Sequence, residues 1–199
     1  MVQQRTIACP SCDDPAEFRF ATWSQVGKAD RPYFERSKDF HLFWGQHSHG
    51  SYFCGAYHLL GVDTPVENID NLPNGYGPER WVPETSVHAT LPNEIAGVGS
   101  VNCNTCHLRR RHRLSWPSDA YFQLIYRGHT LWAYNRKHAL KMLGYIRSSE
   151  RDKTIVGRYG DSYRTFVGED WFLRRIPSIF LTAKARPRVV QKLEKLLKA

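Results

Sequence analysis

The chain has 199 residues, of which 41% are apolar and 13% aromatic. This composition is enough for a packed core in one domain with an insertion or in two small domains, and it argues against intrinsic disorder. No run of about 18 apolar residues is present to cross a membrane, and the segment MVQQRT at the start has no apolar signal character. We therefore expect a soluble, cytoplasmic protein with no membrane partner.

The net charge of +9 is unevenly distributed along the chain. Residues 1–99 carry 7 Lys/Arg against 12 Asp/Glu, whereas residues 100–199 carry 21 against 7, so the halves have net charges of −5 and +14. A positive field of this kind is typical of proteins that meet a phosphate backbone or another polyanion. A solvated basic surface without any partner would have the same composition.

Residues 1–22 contain the first of two Cys-x-x-Cys pairs. Cys9 and Cys12 lie between the strand-like runs Thr6–Ala8 and Glu17–Phe20, and an Asp-Asp-Pro turn follows Cys12. The chain is expected to reverse here and to present two thiolates to one ion, which is how a metal knuckle is made.

Residues 23–99 are rich first in aromatic residues and histidine and then in proline and glycine. The punctuation by turn-forming residues predicts an irregular insertion between the two cysteine pairs. We expect its aromatic side chains, including Trp44, Tyr76 and Trp81, to pack against the hairpins that carry the cysteines.

Histidines in this insertion raise the question of a second metal site. His47 and His49 would share one face of a strand, but Gly45 and Gly50 flank them and indicate a turn instead. We therefore expect no metal there, and we expect the fifth cysteine, Cys54, to pack as a small hydrophobic residue.

Residues 100–134 contain the second cysteine pair and the densest positive charge. Cys103 and Cys106 are followed by His107-Leu-Arg-Arg-Arg-His-Arg-Leu114. As a strand, this run would place Leu108 and Leu114 on one face and leave a wet, strongly cationic face, because arginines are costly to bury. A second hairpin is predicted around Arg127-Gly128-His129.

Residues 135–199 form a basic region with helical patterns. Asn135 is a suitable N-cap for a helix from about Arg136 to Ser148. Asp170 is a candidate cap for a short helical turn, and the last segment has an apolar stripe that begins at Val189 and follows Pro187. We expect these four segments to form one compact unit of the α+β class.

Two cysteine pairs in a chain with one further cysteine are best explained by a shared ion. The site predicted is one structural zinc held by Cys9, Cys12, Cys103 and Cys106. A redox centre is the first alternative, but it requires a Cys-x-x-Cys at the start of a helix. Disulfides are the second alternative, and they require export to an oxidising compartment.

The two cysteine-bearing hairpins resemble a zinc ribbon, a fold shared by many nucleic-acid-handling and transcription-associated proteins. The resemblance covers only the turns and their flanking strands, and 90 residues separate the pairs where the compact pattern has about 15 to 20. The longer connection costs only about 1.4 kcal/mol more in loop closure, whereas zinc binding contributes about 10 kcal/mol or more. An insertion of this length is therefore compatible with the fold.

Three functions are compatible with these features. The first is sequence-independent binding of DNA or RNA, in which zinc fixes a strand of phosphate-binding arginines and Tyr126, Trp132 or Tyr134 stacks on unpaired bases. The residues assigned to phosphate binding are Arg109, Arg110, Arg111, Arg113, Arg136 and Lys137.

The second function is that of an interaction or adaptor protein whose basic face meets an acidic protein surface. The third is a small enzyme or toxin in which the histidine-rich insertion works with Asp39, Asp63 or Glu67. A closed four-cysteine zinc site has no open coordination position for catalysis, and no common catalytic motif is present. The sequence therefore favours a binding protein over an enzyme.

Overall fold

A computed structural model describes residues 5–47, 49–83, 89–90, 95–148 and 171–198. The described residues belong to two compact units, one within 1–119 and the other within 120–199. Both units combine α-helix with antiparallel strands, so the predicted α+β class is confirmed. None of the helices in these residues has both the length and the apolar character that a bilayer crossing requires.

The described part of the first unit contains nine strands and one α-helix. In chain order they are β1 (Arg5–Ala8), β2 (Pro15–Phe20), β3 (Thr22–Gln25), α1 (Arg31–Arg36), β4 (His41–His47), β5 (Tyr52–His58), β6 (Val82–Pro83), β7 (Ala89–Thr90), β8 (Val98–Asn102) and β9 (Arg109–Arg113). The strands form two antiparallel sheets. We call them the ribbon sheet, with the order β1-β2-β8-β9, and the insertion sheet, with the order β6-β3-β5-β4-β7.

Successive side chains along each strand point to opposite faces of the ribbon sheet. We call the face with most of the buried apolar side chains the apolar face and the other the polar face. Ile7, Phe18 and Val101 are fully buried on the apolar face. On the polar face the register aligns Glu17 with Asn102 and Asn102 with Arg109. Pairing of β2 with β8 therefore joins two hairpins that are far apart in sequence.

The insertion sheet corrects the prediction of an irregular insertion. All five of its strands lie between the two cysteine pairs, and β4 and β5 are each seven residues long. The two strands are difficult to recognise in the sequence because each contains a glycine. In the sheet Gly45 is opposite Phe53, and Phe43 is opposite Gly55. Each phenyl ring lies over the facing glycine, where a Cβ atom would be only 2.3–2.4 Å from the ring.

The aromatic residues of the insertion do not pack where the sequence suggested. Tyr76 and Trp81 are buried with Phe34 and Phe40 in a cluster of the insertion itself. Trp44 is 55% exposed, and the guanidinium carbon of Arg31 lies 4.9 Å from the centre of its ring. The expected packing of these three residues against the cysteine-bearing hairpins is therefore wrong.

The second unit combines a hairpin with helices around its own core. Its described elements are β10 (Phe122–Tyr126), β11 (His129–Ala133), α2 (Arg136–Arg147), the 3₁₀ turns Trp171–Arg175 and Ser178–Leu181, and α3 (Arg186–Lys198). Arg127 and Gly128 form the predicted turn, with φ of 49° and 77°. The fully buried side chains of the core include Met142, Ile146, Phe180, Val189 and Leu193.

Capping confirms the start of α2. The side chain of Asn135 accepts a hydrogen bond from the backbone N–H of His138 at 2.9 Å, which satisfies one of the free donors of the first turn. The cap predicted at Asp170 lies outside the described residues.

Candidate metal centre and basic strand

The four predicted ligands lie in the turns of two neighbouring hairpins. Cys9 and Cys12 belong to the β1–β2 turn, and Cys103 and Cys106 belong to the β8–β9 turn. Because β2 pairs directly with β8, the two turns emerge side by side at the same end of the ribbon sheet. Sheet register thus brings together residues that the sequence separates.

The sulfur atoms form one compact cluster. All four lie within 4.8 Å of one another, with Cys9 Sγ 3.6 Å from Cys106 Sγ and Cys12 Sγ 3.7 Å from Cys103 Sγ. A disulfide has an S–S length of about 2.05 Å, so these thiols are not bonded to each other. Four sulfurs at about 2.3 Å from a tetrahedral zinc would be about 3.8 Å apart, which is consistent with a zinc site.

The two cysteine turns have the same backbone design. The N–H of Cys9 donates to the carbonyl of Asp14 at 2.8 Å, and the N–H of Cys103 donates to the carbonyl of Leu108 at 2.9 Å. In both turns the first cysteine bonds the residue five positions later. Each turn therefore has a closed conformation that directs both of its sulfurs to one side.

The thiols of this cluster differ in acidity. The backbone N–H of Cys106 favours the thiolate of Cys103 and lowers the pKa of that thiol to about 6. For Cys12, the N–H of Asp14 acts in the same direction, but desolvation and the neighbouring thiols outweigh it and raise the pKa to about 12. With four thiols so close together, the negative charge of one thiolate disfavours ionisation of the others. A bound cation would allow all four to be thiolates.

The donor set fits a structural zinc ion. Four sulfur ligands close a tetrahedral shell and leave no position for substrate or water. Within the described residues no other group of three histidine, cysteine or acidic side chains is placed to share an ion. One ion held by Cys9, Cys12, Cys103 and Cys106 is what this arrangement can accommodate.

No protein-family model, curated protein or solved structure matches this chain. Its function is therefore inferred from the geometry of the site and the chemistry of the side chains around it.

The histidines of the insertion have structural contacts. The rings of His47 and His49 stack with centres 5.1 Å apart, and His49 bonds the hydroxyl of Ser51 at 2.7 Å. Strand β4 includes both Gly45 and His47, so the turn predicted between Gly45 and Gly50 is wrong for its first part. Cys54 is half-buried and packs with apolar residues, and burial raises the pKa of its thiol.

The acidic residues of the enzyme hypothesis anchor the loop after β5. Asp39 accepts the N–H of Thr64 at 3.1 Å, and Asp63 accepts the N–H of Leu59 at 2.7 Å. Asp63 also lies 3.9 Å from Nε2 of His41, a pair that the sequence did not indicate. Glu67 is exposed on the short turn Val66–Asn68.

Strand β9 displays the predicted basic residues. Arg109, Arg110, Arg111 and Arg113 are all exposed, whereas Leu108 and Leu114 are half-buried against the core of the ribbon sheet. In the described part of the chain β9 pairs only with β8, so it is an edge strand. Arg111 also lies over the ring of Tyr57, with Cζ 5.4 Å from the ring centre.

The remaining predicted contacts are in the second unit. Arg136 and Lys137 are exposed in the first turn of α2, where Arg136 donates to the carbonyl of Leu197. The candidate stacking residues are less accessible: Trp132 and Tyr134 are half-buried and in edge contact at 4.8 Å. Tyr126 is half-buried as well and contributes to the core.

Proposed function

We propose that the protein binds nucleic acid without sequence specificity through strand β9, and that a structural zinc ion holds that strand in place. The supporting observation is the position of the arginines. The run begins three residues after Cys106, and all four of its arginines are exposed on an edge strand. A metal at the cysteines would thus immobilise the end from which the basic strand starts.

The chemistry of arginine suits this role. A guanidinium group presents donors in a planar fork that bonds phosphate oxygens in pairs. Phosphate contacts position a protein on nucleic acid without reading its bases. A rigid strand loses little conformational freedom on binding, so its arginines can contact several phosphates at a low entropic cost.

The zinc-ribbon resemblance supports the same function. Two hairpins with equivalent cysteine turns, joined side by side by β2 and β8, have the arrangement expected of such a fold. The insertion extends from β2 and returns to β8, so β9 remains at the sheet edge. Arg136 and Lys137 would add phosphate contacts from the second unit.

Copurification with nucleic acid tests this function directly. The protein purified at low salt should have a raised ratio of absorbance at 260 nm to that at 280 nm, and nuclease with high salt should lower the ratio. The stripped protein should then bind a labelled duplex in a fluorescence anisotropy titration, with an affinity that falls as salt rises. No binding at low salt would contradict the proposal and favour an adaptor that meets an acidic protein surface.

A further inference from the structure

A polar groove lies beside the cysteine cluster on the polar face of the ribbon sheet. It has a volume of about 540 Å³, and its lining includes Glu17, Arg19, Gly61, Asn102, His107 and Arg109. Small-molecule sites are commonly about 300 to 1,000 Å³. The groove is therefore large enough for one nucleotide, and it lies on the strand that carries the arginines.

The charges in the groove leave one cation without a counterion. Arg19 and Glu17 form a two-pronged ion pair, with Nη2 of Arg19 3.0 Å from Oε2 of Glu17. The opposite charges of Arg19 and Glu17 therefore cancel. By contrast, no hydrogen bond or ion pair of the Arg109 guanidinium is found among the described residues, and its side chain is exposed. The groove therefore offers a net positive charge to an anionic group such as a phosphate.

An amide on the floor supplies the complementary polar contact. Asn102 lies between Glu17 and Arg109 in the same cross-strand row. Its Nδ2 is 3.4 Å from the hydroxyl of Ser100, which in turn donates to the carbonyl of Leu60 at 2.5 Å. An amide held in this way can donate to and accept from the polar edge of a base.

The opposite wall is shaped by a glycine. Gly61 has φ of +78°, and a Cβ atom at this position would lie 3.1 Å from Oδ1 of Asn102. The left-handed φ favours glycine at this position, and the loop after β5 packs closely against the Asn102 amide. The Gly61 backbone therefore bounds the groove next to the Asn102 amide.

We propose that this groove binds a single unpaired nucleotide, with its phosphate at Arg109 and its base edge at Asn102. The inference rests on the proposed function and adds to it a preference for single-stranded over double-stranded nucleic acid. In a duplex the pairing edge of each base is occupied by its partner, whereas an unpaired base can present that edge to a protein. The protein should therefore bind single strands more tightly than duplexes.

Two variants with the same net charge distinguish binding in the groove from general electrostatic attraction to nucleic acid. Arg109→Met and Arg110→Met each remove one exposed arginine of β9, but only Arg109 lies on the face that forms the groove. Asn102→Ala removes the amide without changing the charge. Anisotropy titrations with a labelled single strand of about 12 nucleotides and with the matching duplex compare the three variants with the wild type, and the zinc content of each shows that its fold is intact.

The wild type should prefer the single strand, and Arg109→Met should weaken single-strand binding about tenfold, as loss of a charge-assisted hydrogen bond does. Asn102→Ala should reduce the preference for single strands, and Arg110→Met should affect both substrates equally. If Arg109→Met and Arg110→Met have equal effects and Asn102→Ala has none, the groove is not a nucleotide site although the proposed function stands. If the wild type binds neither substrate, titration with nucleoside 5′-monophosphates decides: binding that Arg109→Met abolishes supports the groove alone, and no binding overturns both.

Discussion

Asp13 and His107 adopt the same left-handed backbone conformation, with φ of 61° and 58°, each directly after the second cysteine of its pair. The residues between the cysteines differ, Pro-Ser in one turn and Asn-Thr in the other. A shared left-handed residue in turns of unlike sequence shows that the conformation belongs to the turn. Side chains at these positions are tolerated at an energetic cost that glycine would not incur.

Replacing Asp13 by glycine should therefore stabilise the protein. Relief of the left-handed conformation is worth about 1–2 kcal/mol, and the added freedom of glycine in the unfolded chain offsets about 0.5–1 kcal/mol of it. A net gain of about 0.5 kcal/mol is expected in chemical denaturation. Ser11→Gly is the control, because Ser11 is exposed in the same turn and its φ is not positive. Equal destabilisation by both variants would show that the left-handed conformation of Asp13 does not cost stability.

Metal analysis should find one zinc ion per chain. Cys103→Ser should abolish stoichiometric zinc and lower the unfolding temperature, because the fourth ligand and the binding energy of the site disappear together. Cys54→Ser should keep both properties, since Cys54 packs with apolar residues of the insertion instead. A strong chelator should reproduce the effect of Cys103→Ser on the wild type. Full zinc and full stability in Cys103→Ser would disprove the shared site.

The glycines at positions 45 and 144 should respond to alanine with opposite signs. A Cβ atom at Gly45 would lie 2.3 Å from Cζ of Phe53, so Gly45→Ala should destabilise by about 1–3 kcal/mol through overpacking. Gly144 is exposed within α2 and a Cβ atom there would meet nothing within 4 Å. Gly144→Ala should stabilise by about 1 kcal/mol, the difference in helix propensity. Denaturation curves of the two variants check both expectations, and a Gly45→Ala variant as stable as the wild type would contradict the packing of β4 on β5.

The sequence could predict those parts of the fold that depend on local signals. The hairpin at Gly128 and the cap at Asn135 follow from signals within a few residues, and both predictions were confirmed. The insertion sheet depends on Phe43 and Phe53 covering glycines of a partner strand. Such complementarity is invisible until the strands are paired, because each glycine by itself indicates a turn.

The candidate site divides in the same way. The spacing of the cysteines was sufficient to predict that they share one cluster. Asn102 was missed, because a single polar residue in a strand becomes meaningful only when the register places it beside Arg109. Sequence signals thus identify residues that act in local motifs, whereas residues gathered across strands require the sheet.

Burial of Asp63 should make stability depend on pH. Burial raises the pKa of its carboxyl above the ordinary value, so its protonated form is favoured in the folded state. Any stabilisation from this group is present below the unfolded pKa and disappears as pH rises through the folded pKa. Asp63→Asn, which keeps an acceptor for the N–H of Leu59, should therefore gain stability relative to the wild type as pH rises from about 4 to 7. Urea denaturation at several pH values measures the difference, and a constant difference would contradict the effect of burial.

The arginines of β9 should increase affinity by binding phosphates. Replacing Arg109, Arg111 and Arg113 by alanine should lower the slope of log affinity against log salt by up to about 0.9 for each duplex phosphate that the variant no longer neutralises. Three such phosphates correspond to about a fortyfold change in affinity between about 50 and 200 mM salt. Anisotropy titrations of one labelled duplex across this range measure the slope.

A variant with the same reduction in charge distinguishes direct binding from overall attraction. Arg188, Lys195 and Lys198 are exposed on α3, and their replacement by alanine removes three positive charges without touching β9. If β9 binds phosphates, the β9 variant should show the larger decrease in salt dependence and the α3 variant the smaller. Thermal unfolding should show that both remain folded, because solvated charges contribute little to stability. Equal slopes in the two variants would mean that net charge alone attracts the nucleic acid, and an unchanged slope in the β9 variant would exclude this strand as the binding surface.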